Sequence, residues 1–132
     1  MEMEVFFPGG RKVNSYYKGY RVETDQPEKE GGEGSAPEPY DLFLASIGTC
    51  AGIYVLSFCQ ERNIDTEKLK MSLHFQRNGK TQLLEEITIK VILPPDFPEK
   101  YKLPIIRTAE LCTVKKSIDN PPQINISAEI SG

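Results

Sequence analysis

The chain has 132 residues, a length typical of one domain and sufficient for a hydrophobic core without disulfide cross-links. Hydrophobic residues make up 39% and charged residues 27%, and the net charge of −3, with lysines and arginines spread along the chain, argues against a nucleic-acid partner. The opening residues MEMEVFFPGG lack the basic and apolar regions of a signal peptide, so we expect one cytoplasmic domain over residues 1–132.

The first third of the chain predicts short strands followed by a long loop. Residues 4–7 are expected to form a strand ending at Pro8, and residues 13–24 one or two strands of a hairpin that turns at Gly19. Residues 25–38, DQPEKEGGEGSAPE, are rich in glycine, proline and charge and predict a loop. Loops of this length in compact domains are often functional.

Residues 39–62, PYDLFLASIGTCAGIYVLSFCQER, predict a long central helix. Asp41 lies near its start, where a carboxylate suits the positive end of the helix dipole. Apolar residues cover nearly all sides from Leu42 to Phe58, which indicates a buried element. Although this stretch approaches the length of a membrane span, its hydroxyl side chains and glycines favour a globular core helix, and we expect no membrane partner.

The second half of the chain predicts three strands and further helix. Residues 69–75 and about 84–93 alternate apolar and polar side chains, as strands do, and Asn78-Gly79 between them is a strong hairpin signal. A short helix over 98–103 that Pro104 ends, a second helix over 105–118 and a last strand over 124–130 follow. The order predicts an α+β fold with a mostly antiparallel sheet.

The three cysteines, Cys50, Cys59 and Cys112, decide which chemistry is available. Their odd number, without an export signal, argues against a disulfide framework. Because no pair has CxxC spacing and there is one histidine, we expect no metal.

Helix geometry limits how the cysteines can pair. Cys50 and Cys59 lie on opposite sides of the predicted helix, about 13 Å apart along it, and cannot form a disulfide there. Cys50 and Cys112 lie on different predicted helices and can pair if those helices cross. The alternative is that the cysteines only fill the core, as most buried cysteines do. A reactive Cys50 would need a nearby cation.

Three segments carry a further signal: GGEGSAPEPYDLFLASIGTCAG, AELCTVKKSIDNPPQINIS and FPGGRK. Together they resemble the OsmC/Ohr family, the osmotically inducible and organic hydroperoxide resistance proteins. The first is GGEGSAPEPYDLFLASIGTCAG, similar to the family pattern GG-x-G followed by P-x-[ED]-L-[LF]-L-A-x-[LI]-G-x-C. The second is AELCTVKKSIDNPPQINIS, similar to C-x-[VY]-x-x-x-[LI], and the third is FPGGRK near the N-terminus. The resemblance covers nearly the whole chain.

The resemblance implies an OsmC-like α+β fold with two cysteine-bearing helices, assembled as an intertwined homodimer. It implies that Cys50 is a peroxidatic cysteine, that Cys112 resolves it and that Arg11 holds the Cys50 thiolate. Asp41 would be the acid of the site, acting on the partner chain, or merely a helix-start carboxylate. The implied substrates are an organic hydroperoxide and a thiol reductant, either a dihydrolipoyl protein or a small thiol, and no cofactor is required.

Two departures from the hydroperoxide-resistance pattern direct the resemblance to the wider OsmC-like branch. Tyr40 stands where that pattern has glutamate, and the second cysteine motif reads CTVK where that pattern has CPYS. Two alternatives to a thiol peroxidase therefore remain. One is a non-enzymatic OsmC-like protein that binds a small apolar ligand. The other is a redox-regulated interaction protein, which requires an exposed Cys59.

Overall fold

The structure, a computed structural model, describes residues 2–132 and contains a mixture of helices and antiparallel strands. Short 3-10 turns occur at Glu28–Glu30 and Glu99–Tyr101. The regular elements in chain order are β1 (Glu4–Gly9), β2 (Lys12–Tyr17), β3 (Tyr20–Val22), α1 (Pro39–Glu61), β4 (Lys70–Arg77), β5 (Leu84–Ile92), α2 (Lys102–Ala109) and α3 (Thr113–Asp119).

The chain forms two compact units, residues 1–46 and residues 47–132. In the first unit, β1, β2 and β3 make an antiparallel sheet in that order, with Phe6 opposite Asn14. The predicted hairpin that turns at Gly19 is confirmed, because β2 and β3 pair on either side of that residue, whose φ of 83° suits glycine. The predicted loop over 25–38 is also present, apart from its single 3-10 turn.

In the second unit, β4 and β5 form the predicted antiparallel hairpin, with Phe75 opposite Ile87. The connection is longer than the Asn78-Gly79 signal suggests. The Asn78 side chain accepts hydrogen bonds from the backbone N–H groups of Lys80 and Thr81, so it organises a loop that runs to Leu83. Four buried side chains of this unit pack together in one hydrophobic cluster: Val55, Phe58, Cys59 and Ile105.

The predicted helix over 105–118 is wrong, because the structure contains two helices with a tight turn between them. Leu111 N–H donates to Thr108 O at 3.1 Å and Cys112 N–H to Ala109 O at 3.3 Å. These bonds span three residues, so the chain after α2 forms a 3-10-type turn that ends the helix. Cys112 consequently precedes α3 as its N-cap and does not lie within a helix. Pro104 does not end a helix either, since it occupies the first turn of α2, where its missing N–H costs nothing.

The predicted last strand over 124–130 is also wrong for the single chain, because residues 121–132 form no strand or helix. A strand needs a neighbour that pairs with its backbone groups. The side chains are exposed instead, with Ile126 at 92% and Ile130 at 100%. The alternation of apolar residues is real, but the described residues 2–132 supply no surface that covers it.

Helix α1 is as long as predicted, but within the chain it is buried on one side only. Its buried residues are Ile47, Ala51, Val55, Phe58 and Cys59. On the other side Phe43 is 41% exposed and Ile53 is 52% exposed, which the expectation of burial all round did not anticipate. By length and composition alone α1 could cross a membrane, a test that core helices of soluble proteins also pass.

Candidate redox-active site

Cys50 lies on the less buried side of α1. It is a free thiol of intermediate exposure. Tyr54, Ser57 and Glu61 follow it at spacings of four, three and four residues, so these side chains share one face of the helix. Cys50 is therefore neither enclosed in the core nor fully open to water.

Two glycines hold the opposite face of α1 against β4. A Cβ atom at Gly48 would lie 3.1 Å from a methyl carbon of Leu73, and one at Gly52 would lie 3.6 Å from the Met71 sulfur. Glycine at these positions permits close approach of helix and strand. Because Gly48 and Gly52 are one turn apart and Cys50 is two residues from each, the packing turns Cys50 away from the β4–β5 hairpin.

Cys112 is buried, at 2% exposure, and its sulfur caps α3. The backbone N–H of Lys115 donates to Cys112 Sγ at 3.4 Å. This bond occupies one of the N–H groups that the first turn of a helix leaves unpaired. The thiol is therefore held in a defined orientation at the junction of α2 and α3.

A hydrogen bond connects the neighbourhoods of Cys50 and Cys112. Tyr54, one helical turn after Cys50, has its hydroxyl 3.3 Å from the hydroxyl of Thr113, the residue directly after Cys112. On the other side of α2, Ile105 packs into the core with Val55 of α1. The structure thus brings the start of α3 to the face of α1 that carries Cys50.

Cys59 has the properties of a core residue. Its exposure is 0%, and burial raises the pKa of its thiol, an effect that the nearby charge of Arg62 partly opposes. The Arg62 guanidinium stacks 3.6 Å above the Phe58 ring and donates to Phe58 O at 3.1 Å. The hypothesis of an interaction protein that uses an exposed Cys59 is therefore wrong.

A groove of about 360 Å³ continues along the Cys50 face of α1. It combines apolar walls with hydroxyl groups and one charge of each sign. Its lining residues are Ile53, Tyr54, Ser57, Phe58, Glu61, Arg62 and Thr108. Among residues 2–132, no group of three or more His, Cys, Asp or Glu side chains could hold a metal ion.

Arg11 lies in the first unit, in the turn between β1 and β2, and is exposed. The loop over 25–38 contacts this turn at two points. A Cβ atom at Gly31 would lie 3.8 Å from Arg11 Cγ, and the Lys12 ammonium is 3.3 Å from a carboxylate oxygen of Glu33. The loop therefore lies along the stem of the arginine.

The carboxylate of Asp25 organises this loop, and the sequence analysis did not identify it. Asp25 is fully buried and accepts hydrogen bonds from the N–H groups of Gln26 at 2.8 Å, Glu33 at 3.3 Å and Ser35 at 3.1 Å, and from the Ser35 hydroxyl at 2.6 Å. These bonds, led by the Ser35 hydroxyl, lower the pKa of Asp25 to about 2. The one available signal was an aspartate ahead of a glycine-rich loop.

Asp41 forms a hydrogen-bonded turn at the start of α1. Its carboxylate accepts from Glu38 N–H at 3.0 Å, while Asp41 N–H donates to Glu38 O at 3.0 Å. The reciprocal pair fixes the first turn of α1. Tyr40 beside it stacks on Phe43, with ring centroids 5.5 Å apart.

An α+β fold with a cysteine on a long helix and a second cysteine at a helix start defines a class of thiol-containing domain, and comparison with known proteins identifies the family. The family described as OsmC-like protein matches residues 32–127. The chain belongs to the OsmC-like family. No curated protein matches the chain closely enough to add to this assignment.

Solved structures share this fold at low sequence identity. A protein from Psychrobacter arcticus, provisionally named an osmotic stress induced and detoxification response protein, is 20% identical with a TM-score of 0.72, over 87% of this chain and 85% of that one. An organic hydroperoxide resistance protein OsmC from Legionella pneumophila is 20% identical with a TM-score of 0.52, over 89% and 87%.

A third structure was solved with a bound small molecule. It is a provisionally named organic hydroperoxide resistance protein from Vibrio cholerae with captopril in one of its active sites. It is 17% identical to this chain with a TM-score of 0.53, over 92% of this chain and 86% of that one. At such identities the likeness establishes the fold.

Proposed function

We propose that the protein is a thiol-dependent peroxidase that reduces organic hydroperoxides in the cytoplasm, with Cys50 as the peroxidatic and Cys112 as the resolving cysteine. Membership of the OsmC-like family and structural neighbours named for hydroperoxide resistance support a stress-related, peroxidase-like role. The observation that carries the proposal is the Tyr54–Thr113 hydrogen bond, because it joins the surroundings of two free cysteines.

The reaction consists of three balanced steps. The Cys50 thiolate attacks the O–O bond of the hydroperoxide, so the sulfur becomes a sulfenic acid and the departing alkoxide takes a proton from solvent to leave as the alcohol. The Cys112 thiol then attacks that sulfur, an S–S bond forms, the S–O bond breaks and water leaves. A dihydrolipoyl protein or two small thiols reduce the disulfide by exchange and are themselves oxidised.

Arg11 and Asp41 have supporting roles in this proposal. Arg11 stabilises the Cys50 thiolate, since a nearby cation favours the charged form of a thiol. Asp41 acts on the site of a partner chain, because nine residues, about 13 Å along the helix, separate it from Cys50. The reaction requires neither a cofactor nor a metal.

The site requires, in our proposal, an intertwined homodimer. The apolar residues left exposed on α1, Phe43 and Ile53, together with the alternating isoleucines of residues 124–130, support this assembly. A second chain would supply the strand neighbour that residues 124–130 lack. Replacing Ile124 and Ile126 together by Lys should convert dimer to monomer in multi-angle light scattering, whereas Gln123→Lys should not. A parent protein that is monomeric at all concentrations would contradict the proposal.

The test of activity is turnover of cumene hydroperoxide with different thiol donors. Cys50→Ser should abolish peroxide consumption, and the parent should form a Cys50–Cys112 disulfide on peroxide treatment. Cys59→Ala is the matched control, because it removes the buried thiol on the same helix and should retain turnover. If Cys50→Ser consumes peroxide as fast as the parent, the proposal is wrong.

The groove along α1 favours a second candidate, a non-enzymatic protein that binds a small apolar ligand. Its volume of about 360 Å³ lies at the lower end of the range for small-molecule sites. Tyr40, in the place of the glutamate found in the hydroperoxide-resistance pattern, supports it as well. Native thiol labelling separates the two candidates: rapid labelling of Cys50 supports the enzyme, whereas protection of Cys50 until unfolding supports the binding protein.

A further inference from the structure

We propose that Tyr54 is a positioning residue for the second chemical step, in which Cys112 attacks the sulfenic acid of Cys50, and that it acts through its hydrogen bond to Thr113. This inference rests on the proposed function and adds a residue to it. The Tyr54 hydroxyl and the Thr113 hydroxyl are 3.3 Å apart.

The inference follows first from where the two cysteines lie in the chain. Tyr54 follows Cys50 by one turn on the same face of α1, and Thr113 is covalently next to Cys112. The hydrogen bond therefore restrains the backbone beside the attacking sulfur relative to the helix that carries the oxidised sulfur. An intramolecular reaction is fast only while both groups stay in attacking distance.

The second argument concerns how α2 and α3 are anchored. Ile105 of α2 is completely buried in the core with Val55 and Phe58 of α1. The chain then turns through residues 110–112, and the seven residues of α3 contain none that is buried. The start of α3 is thus positioned by the buried Cys112 side chain, which also caps it, and by the Thr113 contact.

The third argument is that the attacking sulfur is itself the cap of α3. Cys112 Sγ accepts the Lys115 N–H at 3.4 Å in the reduced protein. When the sulfur forms a bond to Cys50, the first turn of α3 must adjust around it. Tyr54 can hold Thr113 during that change, because its contact uses the neighbouring side chain and leaves the sulfur free.

The experiment measures the two oxidation steps separately with cumene hydroperoxide as the probe. Sulfenic acid formation at Cys50 is followed by dimedone trapping in a Cys112→Ser background. Disulfide formation is followed by rapid-quench mass spectrometry in proteins that retain Cys112. The variants are Tyr54→Phe, Thr113→Val and both together, with Thr113→Ser as the conservative variant. Ser46→Ala is the control on the same face of α1, because the Ser46 hydroxyl donates only to Phe43 O of its own helix.

Tyr54→Phe and Thr113→Val should each slow disulfide formation by about three- to tenfold, the range expected for one net hydrogen bond. The double variant should be no slower than either single variant, and Thr113→Ser and Ser46→Ala should match the parent. Sulfenic acid formation should not change. Excess peroxide should therefore convert more Cys50 to sulfinic acid in the slowed variants.

The outcomes distinguish this inference from the function on which it rests. Parent-like rates of disulfide formation in Tyr54→Phe would overturn only the role of Tyr54. The same holds if the effects of the two substitutions multiply in the double variant. Absence of any trapped sulfenic acid in Cys112→Ser would overturn the peroxidase itself. If Tyr54→Phe acts through a general loss of stability, it should slow disulfide formation equally in the parent and Thr113→Val backgrounds. That result would also contradict the inference.

Discussion

The two glycines that flank Cys50 should respond in opposite ways to replacement by alanine. In a helix interior, glycine to alanine stabilises by about 0.5–1 kcal/mol, because the backbone loses less freedom on folding. At Gly52 the added Cβ would lie 3.6 Å from the Met71 sulfur, an ordinary contact. Gly52→Ala should therefore stabilise the protein by the whole of this gain, about 0.5–1 kcal/mol.

At Gly48 the added Cβ meets both methyl groups of Leu73, at 3.1 and 3.2 Å. Turning one methyl away leaves the other in contact, so the whole side chain must shift. Overpacking of this kind costs about 1–3 kcal/mol, which exceeds the helix gain. Gly48→Ala should therefore be less stable than Gly52→Ala by at least about 1 kcal/mol.

Urea unfolding followed by circular dichroism, at one fixed protein concentration, measures the difference in the free energy of unfolding. The variant Leu73→Ala provides the control, because it removes both methyl groups that the new Cβ would meet. In that background Gly48→Ala should become stabilising. If Gly48→Ala stabilises the parent as much as Gly52→Ala does, α1 is not pinned to β4 beside Cys50 and our account of the orientation of the thiol fails.

Three further predictions concern the thiols and the loop. Of the three thiols, Cys50 should react first with a disulfide reagent in the native protein, while Cys59 and Cys112, at 0% and 2% exposure, should react only on unfolding. Equal rates of reaction for Cys50 and Cys59 would contradict the assignment of Cys59 to the core. The pKa of Asp25 is about 2 when folded, below its ordinary 3.8, so its contribution to loop stability is complete above about pH 4 and is lost as the pH falls through about 2. Proteolysis within residues 26–35 of the parent should therefore increase as the pH falls from about 4 to about 2. Asp25→Asn should abolish this pH dependence. Gly32→Ala should increase the same cleavage at neutral pH, because its Cβ would clash with the backbone oxygen of Gln26. Gly79→Ala, with open space around it, should leave the cleavage unchanged.

The sequence was sufficient for elements whose formation depends on their own residues. Helix α1 is 23 residues long, with apolar residues throughout and a carboxylate at its start, and its observed bounds differ from the prediction by one residue. Strands β4 and β5 alternate apolar and polar side chains and form the expected hairpin. In these segments local preference and tertiary packing agree.

The predictions failed where the outcome depends on surroundings that a pattern does not encode. The stretch from Ile105 to Ile118 has apolar residues at helical spacing on both sides of Cys112, so nothing in its periodicity indicates an interruption. Asp25 was missed for a similar reason, because an aspartate before a glycine-rich loop reads as solvent-exposed. Its burial becomes favourable only once three backbone N–H groups and a hydroxyl turn toward it.

Cys50 and Cys59 show which feature of the candidate site the sequence alone does not predict. Their spacing establishes that they occupy opposite sides of α1, but it does not determine which side faces the core. That choice depends on partners distant in the chain: Ile105 packs against the Cys59 side, and Thr113 binds the side that carries Cys50 through Tyr54. Burial raises the pKa of the Cys59 thiol, whereas Cys50 keeps partial access to solvent and lies on the face where Thr113, the residue after Cys112, contacts Tyr54. Two identical side chains on one helix thus differ in exposure because later segments of the chain pack on different faces.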